Sequence, residues 1–120
     1  MKRTLILGAS PNPNRYSYKA TIKLAKHKHP VFPVGLREGK IEDHNILINN
    51  PIIENIDTLT LYVGPKNQSV YYDYIINHIK PARIIFNPGT ENPELENLAN
   101  KNGIKTETAC TLVLLSLNKY

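Results

Sequence analysis

Cysteine is nearly missing: Cys110 is the only one in 120 residues. No intramolecular disulfide can form, which excludes a disulfide-built secreted domain and leaves the cytoplasm as the default compartment. No stretch approaches the ~20 apolar residues of a membrane span. The apolar run at residues 4–8 is too short for a signal-peptide core and stops at a polar loop. His27, His29, His44 and His78 lack metal-ligand spacing, since ligand pairs on a helix recur every three or four residues. The chain also has no Walker loop, no nucleophile elbow and no paired carboxylates in one loop. Repeats, linkers and low-complexity tracts are absent, so residues 1–120 read as one domain. Acidic residues are the minority, 10 against 15 Lys and Arg, for a net charge of +5. That balance favours anionic partners, and a solvated basic surface accounts for it equally well. Aromatic and basic residues are not interleaved, which argues against nucleic acid.

What is present alternates between strand and helix. Thr4-Leu5-Ile6-Leu7-Gly8 is a continuous apolar run, as in a strand covered on both faces. Ser17 is a suitable cap for a helix over residues 17–29, which Pro30 stops. Residues 31–35 form a second strand that should finish near Pro33, because proline cannot donate to a ladder. Residues 36–57 are less regular. Ile41 and Ile46-Leu47-Ile48 suggest a small extended arm, and Ile52, Ile53 and Ile56 a layer beneath the next strand. Residues 58–63 are β-branched and aromatic, a third strand ending at Gly64-Pro65. A helix capped by Asn67 or Ser69 follows, to about His78. A strand at 82–86 ends in Asn87-Pro88-Gly89, and a helix at 93–101 is capped by Thr90 or Asn92. Residues 104–107 make a fifth strand, and 109–117 a last apolar helix. The pattern predicts an α/β fold: a five-stranded, mostly parallel sheet with helices on both faces.

In a parallel sheet the strand C-termini share one edge, and ligands bind there. Four loops should therefore line one crevice. The first, from Gly8 to the helix start, offers free N–H groups, the positive end of a helix dipole and the planar fork of Arg15, a setting for phosphate. It is not a dinucleotide fingerprint, because Ser10 and Pro13 stand where further glycines are needed. The second strand also lacks the terminal acid that holds a free ribose. Arg37 stands just beyond Phe32-Pro33-Val34-Gly35 and suits a phosphorylated ribose, as in NADP or coenzyme A.

Gly8-Ala9-Ser10-Pro11-Asn12-Pro13-Asn14-Arg15-Tyr16-Ser17 resembles the first loop of the small stand-alone CoA-binding proteins, which are similar to the CoA-binding domain of the succinyl-CoA synthetase α subunit. Pro33-Val34 resembles the start of that family's Pro-Val-Asn-Pro, with Gly35 and Leu36 departing from it. The Asn87-Pro88-Gly89 turn and Cys110 fall in the expected order. The resemblance implies a Rossmann-like fold and coenzyme A, or an acyl-CoA, as ligand. Gly8, Ala9, Ser10 and Arg15 would hold phosphates, with Asn14, Tyr16 and Ser17 in the same loop. Pro33, Val34 and Gly35 would line the nucleotide, with Arg37 as a phosphate partner. Val63, Gly64 and Pro65 would flank adenine or ribose, and Asn87, Pro88 and Gly89 would face the outer crevice.

The missing catalytic groups favour a ligand-binding module, a carrier, sensor or partner subunit acting with a partner enzyme or as a homodimer. The alternative is a small NADP-dependent or acyl-CoA-processing enzyme. Cys110 reads as a buried small hydrophobe; the competing reading brings its thiol to the crevice.

Overall fold

The computed structural model describes residues 1–120. Five parallel strands form the sheet: β1 (Thr4–Ala9), β2 (Val31–Gly35), β5 (Thr58–Leu61), β6 (Arg83–Phe86) and β7 (Lys105–Thr108), in the spatial order β2-β1-β5-β6-β7. Counting only these strands, the order is 2-1-3-4-5, a doubly wound, Rossmann-like arrangement whose direction of winding reverses beside β1. Between β2 and β5 lies a two-stranded hairpin, β3 (Lys40–Ile41) with β4 (His44–Asn45).

Alternation along the strands builds two cores. Leu5 and Leu7 of β1, Leu59 and Leu61 of β5, and Ile84 and Phe86 of β6 join the larger cluster on one face. There they meet Tyr71, Tyr74, Ile75 and Ile79, and Leu95 and Ala99 of α2 (Pro93–Lys101). Ile6 points the other way. It packs with Leu24 of α1 (Tyr16–Lys26), Leu115 of α3 (Thr111–Ser116), and Ile41 and Ile46 around the hairpin. Thr60 lies on this second face and hydrogen-bonds Thr111 at 2.8 Å, so the centre of that layer is polar.

Several elements differ from the expectations. Strand β2 runs through Pro33 to Gly35. It is the outer strand, and the Pro33 carbonyl accepts from Leu47 N–H at 2.8 Å on the outward edge. The missing proline N–H therefore costs the sheet no ladder bond. Strand β5 stops at Leu61, four residues long. The helix expected over 67–78 is three short pieces: 3-10 turns at Pro65–Asn67 and Ser69–Tyr71, then a π-helical turn at Tyr74–Ile79. The break between the 3-10 turns falls at Gln68, which is completely buried. Ile56 is buried and Ile53 packs on the core, whereas Ile52 is exposed.

Candidate functional site

The C-terminal ends of β1, β2 and β5 converge so closely that two positions admit no side chain. A Cβ on Gly8 would sit 2.9 Å from the carbonyl carbon and oxygen of Tyr62, and its φ of +96° is one L side chains rarely adopt. A Cβ on Gly35 would lie 2.2 Å from the Ala9 carbonyl oxygen. This pinch sits where the winding reverses, and a cleft of about 980 Å³ opens beside it. That is roughly the upper size of ordinary small-molecule sites.

The first wall is the loop from β1 to α1. Ser10 Oγ accepts from Asn12 N–H at 3.1 Å, and Asn12 Oδ1 accepts from Asn14 N–H at 3.0 Å. Arg15 N–H then reaches Asn12 O at 3.0 Å, and these turns feed the chain into α1. Arg15 occupies the N-cap position with no side-chain cap, and the first turn holds no acidic residue. The Tyr16 and Ser17 amides have no partner within the fold, so they add to the positive end of the helix dipole. Ser17 is thus not the cap. It is the second residue of the helix, buried, facing the cleft, and its carbonyl accepts from Thr21 Oγ1 at 2.8 Å.

The other walls are Gly35 to Arg37 after β2, Tyr62 to Tyr71 after β5, and Pro88 to Thr90 after β6. Each of the first three loops carries one cation: Arg15, Arg37 and Lys66. All three are exposed, and neither ion pair of the structure, His78–Asp73 or Arg83–Glu107, uses them. The lining contains no Asp, Glu, His or Cys.

Two polar clamps fix the walls. Gln68 Nε2 donates to Val63 O at 2.8 Å and to Thr90 O at 2.7 Å, tying the β5 loop to the β6 loop. Asn92 Nδ2 donates to Gln68 Oε1 at 2.9 Å, while Asn92 Oδ1 accepts from Glu94 N–H at 3.1 Å as the N-cap of α2. The second clamp is Asn87. It donates to Thr60 Oγ1 at 2.7 Å and Leu61 O at 3.0 Å, and accepts from Thr111 N–H at 2.9 Å. Close by, the Tyr62 hydroxyl is buried without a hydrogen-bond partner. Burial pushes its pKa up to about 12, so it stays a neutral phenol.

Of the residues singled out from the sequence, Gly8, Ala9, Ser10, Arg15, Tyr16, Ser17, Gly35, Arg37, Val63, Gly64, Pro88 and Gly89 come together around the cleft. Five do not line it. Pro33 and Val34 are buried inside the sheet, because β2 continues past the proline. Asn14 gives only its amide to the loop, and Pro65 begins a 3-10 turn. Asn87 is 2% exposed, and its side chain is fully engaged by Thr60, Leu61 and Thr111. Sequence reasoning missed Lys66, Val70 and Gln68. A cation two residues after a strand-ending Gly64 was the available signal for Lys66; nothing local marks Gln68.

A family model described as CoA binding domain matches residues 2–116. No curated protein matches. Among solved structures, a crystal structure of an uncharacterized protein is 49% identical over 100% of this chain and 98% of its own, with a TM-score of 0.96. The structure of cell-free ID.343 from Thermus thermophilus is 19% identical over 99% of this chain and 90% of its own, with a TM-score of 0.86. A hypothetical protein from Pyrococcus horikoshii OT3 is 24% identical over 93% of this chain and 80% of its own, with a TM-score of 0.83. The last two likenesses concern the fold.

Proposed function

The chain belongs to the CoA-binding domain family, and from that premise we propose that its cleft holds coenzyme A without performing chemistry on it. The carrying observation is the set of three unpaired cations, Arg15, Arg37 and Lys66, on three loops around a cleft with no carboxylate. Coenzyme A brings a diphosphate and a separate ribose phosphate, an anion spread over a length that one loop cannot cover. The diphosphate is assigned to Gly8–Ser17, where Arg15 and the free amides of Tyr16 and Ser17 supply donors. The ribose phosphate falls to Arg37, and adenine to the side of Val63 and Gly64. Pro88 and Gly89 face the outer part of the ligand.

The lining supplies hydroxyls and cations but no carboxylate, imidazole or thiol to act as a base or nucleophile near neutral pH. A carrier, sensor or partner subunit fits this better than an enzyme. No helix is long and apolar enough to cross a membrane, and the single cysteine suits a reducing compartment, so we place the protein in the cytoplasm.

Arg37 favours NADP as the second reading, because its ribose phosphate has the same charge. Thermal unfolding with coenzyme A, NADP and NAD separates the two. A ligand at a hundredfold its Kd adds about 2.7 kcal/mol of stability, several degrees in Tm for a domain of this size. Stabilisation by coenzyme A and not by NAD is expected. A shift with NADP and none with coenzyme A overturns the proposal.

A further inference from the structure

Pro11 belongs to the loop after β1, and Gly39 to the stretch between β2 and the β3–β4 hairpin. The two meet without room for a side chain on the glycine. A Cβ on Gly39 would sit 2.9 Å from Pro11 Cβ and 3.3 Å from its Cγ. Pro11 lines the cleft, whereas Gly39 stands behind it. The segment that carries Gly39 is fastened at both ends. Gly35 N–H donates to Leu47 O at 2.9 Å, and Leu47 N–H donates to Pro33 O at 2.8 Å, so residues 35–47 close into a loop on the outer edge of β2. Ile46 N–H donates to Gly39 O at 2.8 Å and draws its neck together. Ile41 and Ile46 are buried in the cluster that holds Ala9 and Leu24. A loop closed at its ends and plugged by its own side chains is a platform, not a free tip. Arg37 stands on that platform, two residues before Gly39.

We infer that Pro11 and Gly39 are positioning residues, whose contact sets the place of Arg37 relative to the Gly8–Ser17 loop and so selects a nucleotide with a diphosphate and a second phosphate on its ribose. The inference rests on the coenzyme A reading and deepens it by naming what sets the selectivity of that site. The two anionic parts of such a ligand are gripped from two separate segments, the first loop and the residue 35–47 platform. An exposed arginine is only as well placed as the backbone beneath it. Bracing the platform against the first loop fixes the separation of the two grips before the ligand arrives, which lowers the ordering cost of binding. Neither Pro11 nor Gly39 carries a charge or a free side-chain donor, so their effect passes through Arg37.

The test is titration calorimetry with coenzyme A and dephospho-coenzyme A, which lacks the ribose phosphate, on the wild-type chain and on Gly39→Ala and Pro11→Gly. The first variant wedges the platform away from the loop, and the second empties the contact. The wild type is expected to bind coenzyme A at least about tenfold more tightly than dephospho-coenzyme A, the effect of one charge-assisted contact. In both variants that ratio should fall by at least about threefold, with unfolding in the absence of ligand showing that each variant is folded. A general loss of stability weakens both ligands alike and leaves the ratio in place, so the ratio reads positioning. Should Gly39→Ala fail to fold, Pro11→Gly decides. An unchanged ratio in the folded variants overturns the inference and leaves the coenzyme A reading standing. A wild-type ratio near one does the same, because there is then no selectivity for the contact to set. Binding of neither ligand to the wild type removes both.

Discussion

Gln68 donates its side-chain amide to the main-chain carbonyl of Thr90 at 2.7 Å, joining two loops 22 residues apart in sequence. The same nitrogen reaches Val63 O at 2.8 Å, and Gln68 is completely buried. Leaving a buried carbonyl unpaired costs about 1–3 kcal/mol. Gln68→Ala is therefore expected to lose about 3 kcal/mol of stability in urea unfolding. It should also weaken ligand binding, because the β5 and β6 walls are no longer fixed to one another. A loss below about 0.5 kcal/mol would show that the bridge carries no stability.

The fold class was legible in the sequence because strands such as Leu5-Ile6-Leu7 and Ile84-Ile85-Phe86 are apolar on both faces. Such strands lie in a sheet covered by helices on each side. The strand order was not legible, because nothing local in β5 says that it pairs with β1. Gly8 and Gly35 were legible as the ends of strands, but their real constraint is backbone contact with Tyr62 and Ala9, which exists only after folding. Asn87 shows the opposite failure. An asparagine before Pro-Gly at a strand end looks like a ligand contact, and its side chain is consumed by Thr60, Leu61 and Thr111. Gln68 was hidden in a segment whose tyrosines and isoleucines follow helical spacing, so its inward turn left no trace.

Arg15 is exposed and makes no ion pair, so removing it should spare the fold. A charge-assisted hydrogen bond to phosphate is worth about 1.5–3 kcal/mol. Arg15→Ala is expected to weaken coenzyme A binding by about tenfold or more, with Tm in the absence of ligand unchanged. The difference between wild type and variant should shrink as salt is raised, since exposed charges are screened. Unchanged affinity in calorimetric titration removes Arg15 from the phosphate site.

Gly35 and Gly64 make a controlled pair. A methyl on Gly35 would meet the Ala9 carbonyl oxygen at 2.2 Å, a contact that must move backbone. A methyl on Gly64 meets nothing within 4 Å, and its φ of −63° suits any residue. Gly35→Ala is expected to cost about 2 kcal/mol or more by forcing β1 and β2 apart. Gly64→Ala should be neutral or gain up to about 1 kcal/mol by restricting the unfolded chain. Chemical denaturation of both variants checks the contrast. Equal effects at the two positions would mean that the strand ends are not pinched together.

Far from the cleft, His29 accepts a hydrogen bond from the Lys2 amide at 3.0 Å through Nδ1, and its ring lies 4.8 Å from that of Tyr120. Burial holds its pKa below the usual 6.5, and the charges of the N-terminus, His27, Lys2 and Arg83 push the same way. The folded chain therefore binds this proton less readily than the unfolded chain. The contribution to stability is present above pH 6.5 and is lost as pH falls through the folded-state value. Urea unfolding from pH 7.5 down to pH 5 should show stability decreasing, and His29→Asn should flatten that part of the profile. The Asn side chain cannot take up the proton, so the comparison isolates His29 from the carboxylates, which titrate lower. An identical slope in wild type and variant would assign the acid sensitivity to other groups.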